Sequence, residues 1–107
     1  MIMTDRIQII KELKHYLKQH LGNCIKDVVL FGSQQYKAMP GSDYDILIVV
    51  KHVPDWKLKK RISDYCYDIE LKYEIILDTH ILSETELQKP RGKQPVFQNA
   101  IRNGHYV

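Results

Sequence analysis

The hydrophobic pattern of the chain predicts a small α/β (α+β) fold, in which a mixed sheet is flanked by helices in the order α-β-loop-β-α-β-α. Apolar residues recur at three- and four-residue steps in two long segments, which is the period of an amphipathic helix. Three shorter runs are rich in Val, Ile, Leu and Phe and end at Gly, Pro or polar clusters, as strands do. Alternation of these two kinds of segment is typical of a layered fold around one core. The 107 residues, 44% of them hydrophobic, are expected to form a single domain over 1–107.

The first helix is predicted over residues 5–21, where Asp5 is placed to cap its start and Gly22 to end it. A strand is predicted next, over residues 25–31, because β-forming residues fill its second half. That strand runs into a Gly-Ser pair, which indicates a sharp turn.

A loop separates the first two strands. Residues 34–42 end in Met-Pro-Gly-Ser, which predicts a turn. The second strand is predicted over residues 43–50, and its uninterrupted apolar tail indicates burial on both faces of the sheet.

The second half of the chain alternates in the same way. Residues 54–71 predict a helix with a proline in its first turn, and residues 73–81 predict a third strand. The Ser-Glu-Thr-Glu run at 83–86 is the capping box of a short helix. Residues 89–94 form a polar linker with Pro and Gly, and residues 95–102 predict a last helix.

The candidate site combines the Gly32-Ser33 turn with the pair Asp43 and Asp45, which follow after a spacer. Residues two apart on a strand share a face, so both carboxylates should point the same way. Two bare carboxylates about 4 Å apart repel by roughly 4 kcal/mol at an effective dielectric of about 20. A divalent cation removes that repulsion, and Mg²⁺ prefers carboxylates together with substrate phosphates. A glycine turn in turn lets backbone N–H groups approach a phosphate, and a Ser33 hydroxyl can donate one more hydrogen bond.

This arrangement resembles the signature of the nucleotidyltransferase superfamily that includes DNA polymerase beta, in which a strand, Gly-Ser, a spacer of about ten residues and Asp-x-Asp on a buried strand follow one another. The short chain and its preceding helix are similar to the minimal nucleotidyltransferase branch, as are residues 67–78 and 83–87. The resemblance covers roughly the whole chain. It implies the nucleotidyltransferase fold, two Mg²⁺ ions held by Asp43 and Asp45, and a nucleoside triphosphate donor, with ATP favoured. The implied reaction transfers a nucleoside monophosphate, AMP in the favoured case, to an acceptor hydroxyl and releases pyrophosphate.

The resemblance also implies where the nucleotide is held. Gly32 and Ser33 would bind the β- and γ-phosphates, and Ser42, directly before the Asp pair, belongs to the same expected nucleotide-binding set. Two features depart from the family pattern: the spacer has nine residues where many relatives have ten, and Gln-Gln-Tyr-Lys replaces an Arg-x-Arg-Gly-like run. Lys37 is the candidate for the missing positive charge.

The family uses a third carboxylate on the strand after the second helix, and two residues compete for that role. Glu74 and Asp78 share a face of the predicted third strand because they are four residues apart. Glu74 lies nearer the predicted start of the strand and is the favoured residue, both as metal ligand and as the catalytic group that helps to deprotonate the acceptor, with Asp78 as the alternative. Asp68 and Glu70 are expected at the helix end, in contact with solvent.

The acceptor is implied only by the resemblance. Minimal relatives often act in two-gene modules as antitoxins of a ribonuclease toxin with a HEPN domain, and some adenylylate that toxin on tyrosine. A protein acceptor is therefore the favoured expectation. The alternative is a non-catalytic antitoxin module that binds nucleotide or protein and masks its partner. A small sheet with exposed edges also permits a homodimer or a heteromeric complex.

Charge, hydropathy and cysteine spacing argue against three other classes: nucleic-acid-binding, membrane and redox or zinc proteins. The net charge of +3 permits an anionic ligand but does not require nucleic acid. The basic runs at 57–61 and 89–93 are read as a solvated helix face and a surface linker, so nucleic acid is not an expected partner. No signal-peptide pattern is present, and the longest apolar run, 46–50, is too short to span a bilayer; a cytoplasmic location without a membrane partner is expected. Cys24 and Cys66 form no C-x-x-C pattern and are expected to be reduced thiols.

Overall fold

The computed structural model describes residues 6–31, 43–90 and 93–107, which form alternating helices and strands. The first helix is followed by a 3₁₀ turn at Gly22–Cys24. In chain order the elements are α1 (Arg6–Leu21), β1 (Ile25–Phe31), β2 (Asp43–Val50), α2 (Trp56–Tyr73), β3 (Ile76–Ser83), α3 (Glu84–Leu87), α4 (Pro95–Asn103) and β4 (His105–Tyr106). The predicted alternation is confirmed, and both bounds of β1 and of β2 agree with the sequence prediction.

The strands form a mixed sheet in the order β3-β2-β1-β4. β1 runs antiparallel to β2 and to β4, whereas β2 and β3 are parallel. The end of β1 and the beginnings of β2 and β3 therefore meet at one edge of the sheet. At this edge the backbone register places Phe31, Asp45 and Asp78 side by side.

Each face of the sheet is covered by helices. On one face α1 and α2 pack over alternate strand residues, which include Val28, Leu30, Ile46 and Ile48. On the other face α4 packs through Phe97 and Ala100 on a smaller cluster that contains Val29, Phe31, Leu47, Val49 and Leu82. Burial on both faces explains the uninterrupted apolar tail of β2. The covering helices are amphipathic, and among the described residues none is long and apolar enough to cross a bilayer.

Helix α1 buries Ile10, Leu13 and Leu17, as its periodicity predicts, and Ile9 in addition. It ends where expected, because Gly22 has φ of +60°, a left-handed conformation that glycine adopts without steric penalty. The predicted cap Asp5 lies outside the described residues.

Helix α2 is shifted by two residues from its predicted bounds, and this shift moves the start of the third strand. Asp55 rather than Pro54 precedes the helix as its N-cap, and its carboxylate accepts a hydrogen bond from the Leu58 N–H at 2.8 Å. At the other end Tyr73 is still helical, and Glu74 follows as the C-cap with φ of +54°. The predicted strand start at residue 73 is wrong: β3 begins at Ile76.

We expect Glu74→Gly to stabilise the fold by about 1 kcal/mol. Among the described residues, Glu74 is the one that has a positive φ without being a glycine. That conformation costs roughly 1–2 kcal/mol for a residue with a Cβ. Urea unfolding would measure the change. Ser63→Gly, at an exposed position inside α2, is the matched control and should lose about 0.5 kcal/mol. A loss of stability in Glu74→Gly would contradict the strain argument.

The last part of the chain contains one strand that the sequence did not reveal. The capping box of α3 is confirmed, since Ser83 Oγ accepts from the Glu86 N–H and the Glu86 carboxylate accepts from the Ser83 N–H, both at 3.0 Å. Pro95 opens α4 at its first turn, as expected. After α4 the chain turns at Gly104 and adds β4 to β1. Two residues are too short a strand to produce a periodic signal.

Some backbone N–H groups on the outer edge of β3 donate hydrogen bonds to acidic side chains of neighbouring helices. The Leu77 N–H donates to the Glu70 carboxylate at 2.9 Å, and the Ser83 N–H donates to Glu86. Asp68 accepts a hydrogen bond from the Tyr16 hydroxyl at 2.6 Å, which ties α2 to α1. Asp68 is exposed, as expected, although it also accepts this bond, whereas Glu70 is half-buried. The Glu70 contact protects an edge that could otherwise pair with another strand.

The two cysteines should differ sharply in reactivity. Both are free thiols, Cys24 exposed and Cys66 buried, and burial raises the pKa of the Cys66 thiol to about 12. Because the thiolate is the reactive form, we expect a chromogenic disulfide reagent at pH 8 to titrate one thiol per folded chain and two after denaturation. Cys24→Ser should remove the fast-reacting thiol. Rapid reaction of a second thiol in the folded protein would contradict the burial of Cys66.

Candidate active site

A row of side chains crosses the sheet at the edge where β1 ends and where β2 and β3 begin. Asp45 lies opposite Phe31 of β1 on one side and opposite Asp78 of β3 on the other. Neighbouring strands are about 4.8 Å apart, and directly opposite residues project to the same face. The structure therefore brings together two carboxyl-bearing residues from adjacent parallel strands. The side chain of Asp78 is 52% exposed, which leaves it accessible to a ligand from solvent.

The row lies on the face of the sheet that α4 covers, at the end of its small hydrophobic cluster. Leu47 follows Asp45 on this face and is fully buried, so the polar row ends where the core begins. Phe31 and Phe97 line the same boundary and are 4% and 5% exposed. Along β2, this face thus changes from apolar at Leu47 to acidic at Asp45. The buried apolar residues fix the position of the acidic ones.

His80 is a component of the site that sequence reasoning missed. Its Nε2 lies 3.8 Å from Asp78 Oδ2, and its ring contacts Phe31 and Phe97 with centroid distances of 6.0 and 5.5 Å. The sequence signal was the Asp-x-His alternation on β3, which places both side chains on one face of the strand. His80 thus lies beside the Asp78 carboxylate, beyond hydrogen-bond distance, while its ring contacts two aromatic side chains of the hydrophobic cluster.

Several predicted site residues fall beyond what the structure describes. Gly32, Ser33, Lys37 and Ser42 lie outside the described residues. The backbone of Asp43 opens β2, two positions before Asp45, but its side chain also lies outside them. β1 ends at Phe31 and β2 begins at Asp43, both at the edge that carries Asp45 and Asp78.

Glu74, the favoured third acid, is not on a strand. It is exposed at the C-terminal cap of α2, two residues before β3 begins. The alternative, Asp78, occupies the register position next to Asp45. The prediction rested on a strand that began at residue 73, and the later start of β3 removes the alternation that would have placed Glu74 among the other acids.

No group of three His, Cys, Asp or Glu side chains with metal-binding geometry occurs among the described residues. The side chain of Asp43, which the family pattern adds to Asp45 and Asp78, lies outside the described residues. A site made by these three acids would consist only of carboxylate oxygens, which are the ligands that Mg²⁺ prefers and softer metals do not.

A cleft of about 370 Å³ lies elsewhere, between α1 and α2. It faces away from the acidic row, on the opposite side of the sheet. Glu12 lines it and accepts hydrogen bonds from Lys72, at 2.6 Å, and from the Tyr73 hydroxyl. These bonds lower the pKa of Glu12, and the bond to Glu12 raises the pKa of Tyr73. Glu12, Lys72 and Tyr73 thus link α1 to α2 at this cleft.

Comparisons with known proteins show which family and which fold the chain resembles. The family described as "Polymerase beta, Nucleotidyltransferase" matches residues 11–107. A proposed protein adenylyltransferase of Methanocaldococcus jannaschii is 36% identical over 80 residues, which cover 74% of this chain and 81% of that protein.

Among solved structures, the spectinomycin adenyltransferase AAD(9) of Enterococcus faecialis, crystallised with ATP and spectinomycin, superposes with a TM-score of 0.63 at 23% identity. The match covers 79% of this chain but 37% of the larger enzyme. At that identity the likeness establishes the fold. The chain thus corresponds to about one third of the length of that structural relative.

Proposed function

The chain belongs to the polymerase beta nucleotidyltransferase family, and we propose that it transfers AMP from ATP to a hydroxyl group of an acceptor protein. The observation that carries the proposal is the register of Asp45 with Asp78 across two parallel strands. β1 ends and β2 begins at that same edge, and the predicted phosphate-binding turn directly follows β1 in the sequence.

We assign the metal-binding role to Asp43, Asp45 and Asp78, with Asp78 in place of Glu74. Two carboxylates in register on adjacent strands repel each other, and a divalent cation between them turns that repulsion into binding. The donor set fits Mg²⁺, and two ions are proposed. Bound Mg²⁺ would neutralise the charge that builds up on the triphosphate during transfer.

The protein's own groups position the reactants. Gly32 and Ser33 hold the β- and γ-phosphates, and Lys37 and Ser42 add contacts to the nucleotide. The acceptor oxygen forms a bond to the α-phosphorus, while the bond from the α-phosphorus to the bridging oxygen breaks and pyrophosphate leaves. Asp78 accepts the proton of the acceptor hydroxyl. Most of the acceleration comes from alignment and electrostatic stabilisation rather than from covalent chemistry.

Two relatives support the choice of donor and acceptor. The Enterococcus enzyme is an adenyltransferase whose structure contains ATP, and the Methanocaldococcus relative is a proposed protein adenylyltransferase. We propose ATP as the donor and a protein hydroxyl as the acceptor. A HEPN-domain toxin is the first candidate acceptor, with this chain as the antitoxin of the pair.

The test is label transfer. The purified protein is incubated with Mg²⁺, ATP labelled at the α-phosphate and a lysate of its own host, beside an Asp45→Asn control. We expect label on a discrete protein band with the wild type and none with the variant. ATP labelled at the γ-phosphate should leave the band unlabelled, which separates nucleotidyl transfer from phosphorylation.

The competing function is a non-catalytic module that masks a partner protein. Its support is the Gln-Gln-Tyr-Lys run after the Gly-Ser pair, where relatives have a more basic sequence. Absence of label with every nucleoside triphosphate, in a protein whose circular dichroism spectrum shows an intact fold, would favour this function over catalysis. In that case Asp45→Asn should still neutralise the partner.

A further inference from the structure

Helix α2 carries an apolar stripe that nothing in the described part of the chain covers. Trp56, Tyr67 and Leu71 are 71%, 57% and 61% exposed. They share one helix face with Lys60 and Ser63, since the spacings are three and four residues. Ile62, Cys66 and Ile69 lie on the opposite face and are buried against the sheet. An exposed tryptophan in line with two other large apolar residues is a typical recognition surface.

The charges along α2 divide the helix into two halves. The first six residues, 56–61, carry four cations and no acid. The following twelve residues carry three acids and one cation. A partner surface that fits this stripe must present acids beside the basic half and bases beside the acidic half.

We propose that this stripe, Trp56–Lys60–Ser63–Tyr67–Leu71, binds the same stripe of a second copy of the chain in an antiparallel, twofold-symmetric pair. A twofold interface brings the same patch of both copies together, so the patch must complement itself. Antiparallel packing centred at Ser63 sets Trp56 against the second copy's Leu71 and Lys60 against the second copy's Tyr67. The small Ser63 at the centre lets the two helices approach closely.

The flanks of the stripe have the same complementarity. One flank of the stripe is the side of α2 that faces α1, because Asp68 on that side bonds to Tyr16 of α1. The same flank carries Lys57, Arg61 and Asp64. In the antiparallel pair this flank meets itself, so Arg61 lies near the second copy's Asp64 and Lys57 near the second copy's Asp68. On the other flank, marked by the bond from Leu77 to Glu70, Lys59 meets the second copy's Glu70.

The sheet edge is a weaker candidate for the same contact. Glu70 and Glu86 occupy outward N–H groups near both ends of β3, and β4 at the opposite edge has only two residues. The stripe on α2 spans about 22 Å from first to last residue. An interface of this extent lies at the small end of specific contacts, and we expect a dissociation constant on the order of 10 μM.

Sedimentation velocity over a range of about 1–200 μM protein tests the proposal. We expect a monomer–dimer equilibrium that Trp56→Ser combined with Leu71→Ser abolishes, since both side chains are exposed and the fold does not need them. Val96→Ser removes an exposed apolar side chain of α4 and is the matched control, which should dimerise like the wild type. A protein that stays monomeric throughout, or one whose dimer survives the double substitution, overturns the proposal.

Two further sets of variants, charge exchanges and cysteine substitutions, test the geometry. Arg61→Asp and Asp64→Arg should each weaken the dimer at least tenfold, and the double exchange should restore it. In a Cys24→Ser background, Ser63→Cys should form a disulfide-linked dimer under mild oxidation. Lys18→Cys, at an exposed position of α1, should not. Failure of Ser63→Cys to cross-link while the protein is dimeric would overturn the antiparallel arrangement.

Discussion

Asp78→Asn is expected to lower the rate of AMP transfer by about 10³-fold, whereas Glu74→Gln should leave it within about twofold of the wild type. Asp78 lies in register with Asp45 on the neighbouring parallel strand, and Glu74 caps a helix two residues before that strand begins. Asn keeps the shape of the side chain but removes the charge. Loss of a carboxylate that stabilises a bound cation costs several kcal/mol at the transition state, and about 4 kcal/mol corresponds to this factor.

Label transfer from α-labelled ATP measures the rates, and Mn²⁺ binding followed by electron paramagnetic resonance gives a second readout that does not require an acceptor. Asp78→Asn should bind Mn²⁺ more weakly than the wild type, and Glu74→Gln should bind it equally well. Thermal unfolding of both variants serves as the control for intact folding. A Glu74→Gln protein without activity, beside an active Asp78→Asn protein, would return the third-acid role to Glu74.

The sequence predicted the structure correctly wherever a residue pattern is compatible with only one local conformation. The β1 and β2 bounds followed from apolar runs that end at a Gly-Ser pair and begin at an acidic pair. The α3 capping box was readable because its two hydrogen bonds are local, within residues 83–86. Gly22 was correctly placed as the end of α1, because a left-handed cap strongly favours glycine.

Sequence reasoning failed where distant contacts decide the structure. The end of α2 depends on Lys72 and Tyr73, which bond to Glu12 of α1 and extend the helix beyond its predicted end. That extension, not any local signal, moves the start of β3 from the predicted residue 73 to Ile76. As a result Asp78, rather than Glu74, lies beside Asp45. Glu74 itself adopts a conformation that usually marks glycine, so its residue type gave no warning of a helix cap. The site was thus predictable as a set of acidic residues but not as a register between strands.

Gly104→Ala is expected to destabilise the fold by about 2–3 kcal/mol, because there is no room for a methyl group at this position. A Cβ built on Gly104 would overlap the Ala100 carbonyl oxygen and Val29 Cγ1. The Gly104 N–H also donates to the same Ala100 carbonyl at 2.9 Å and closes α4. The chain can relieve the overlap only by moving α4 or β4 away from β1, and overpacking of this kind costs about 1–3 kcal/mol.

Gly22→Ala is the matched control, because it isolates the conformational cost of replacing a glycine. A Cβ at Gly22 would meet no atom within 4 Å, but φ is +60° there, so we expect a loss of about 1 kcal/mol. Urea unfolding compares the two variants, and the melting temperature of Gly104→Ala should fall by roughly 10 °C or more. Equal losses of stability in the two variants would mean that β4 can move away from β1 at little cost in free energy. A much larger loss at Gly104 would show that the short terminal strand, which holds α4 against Phe31 and the acidic edge, is a necessary part of the folded domain.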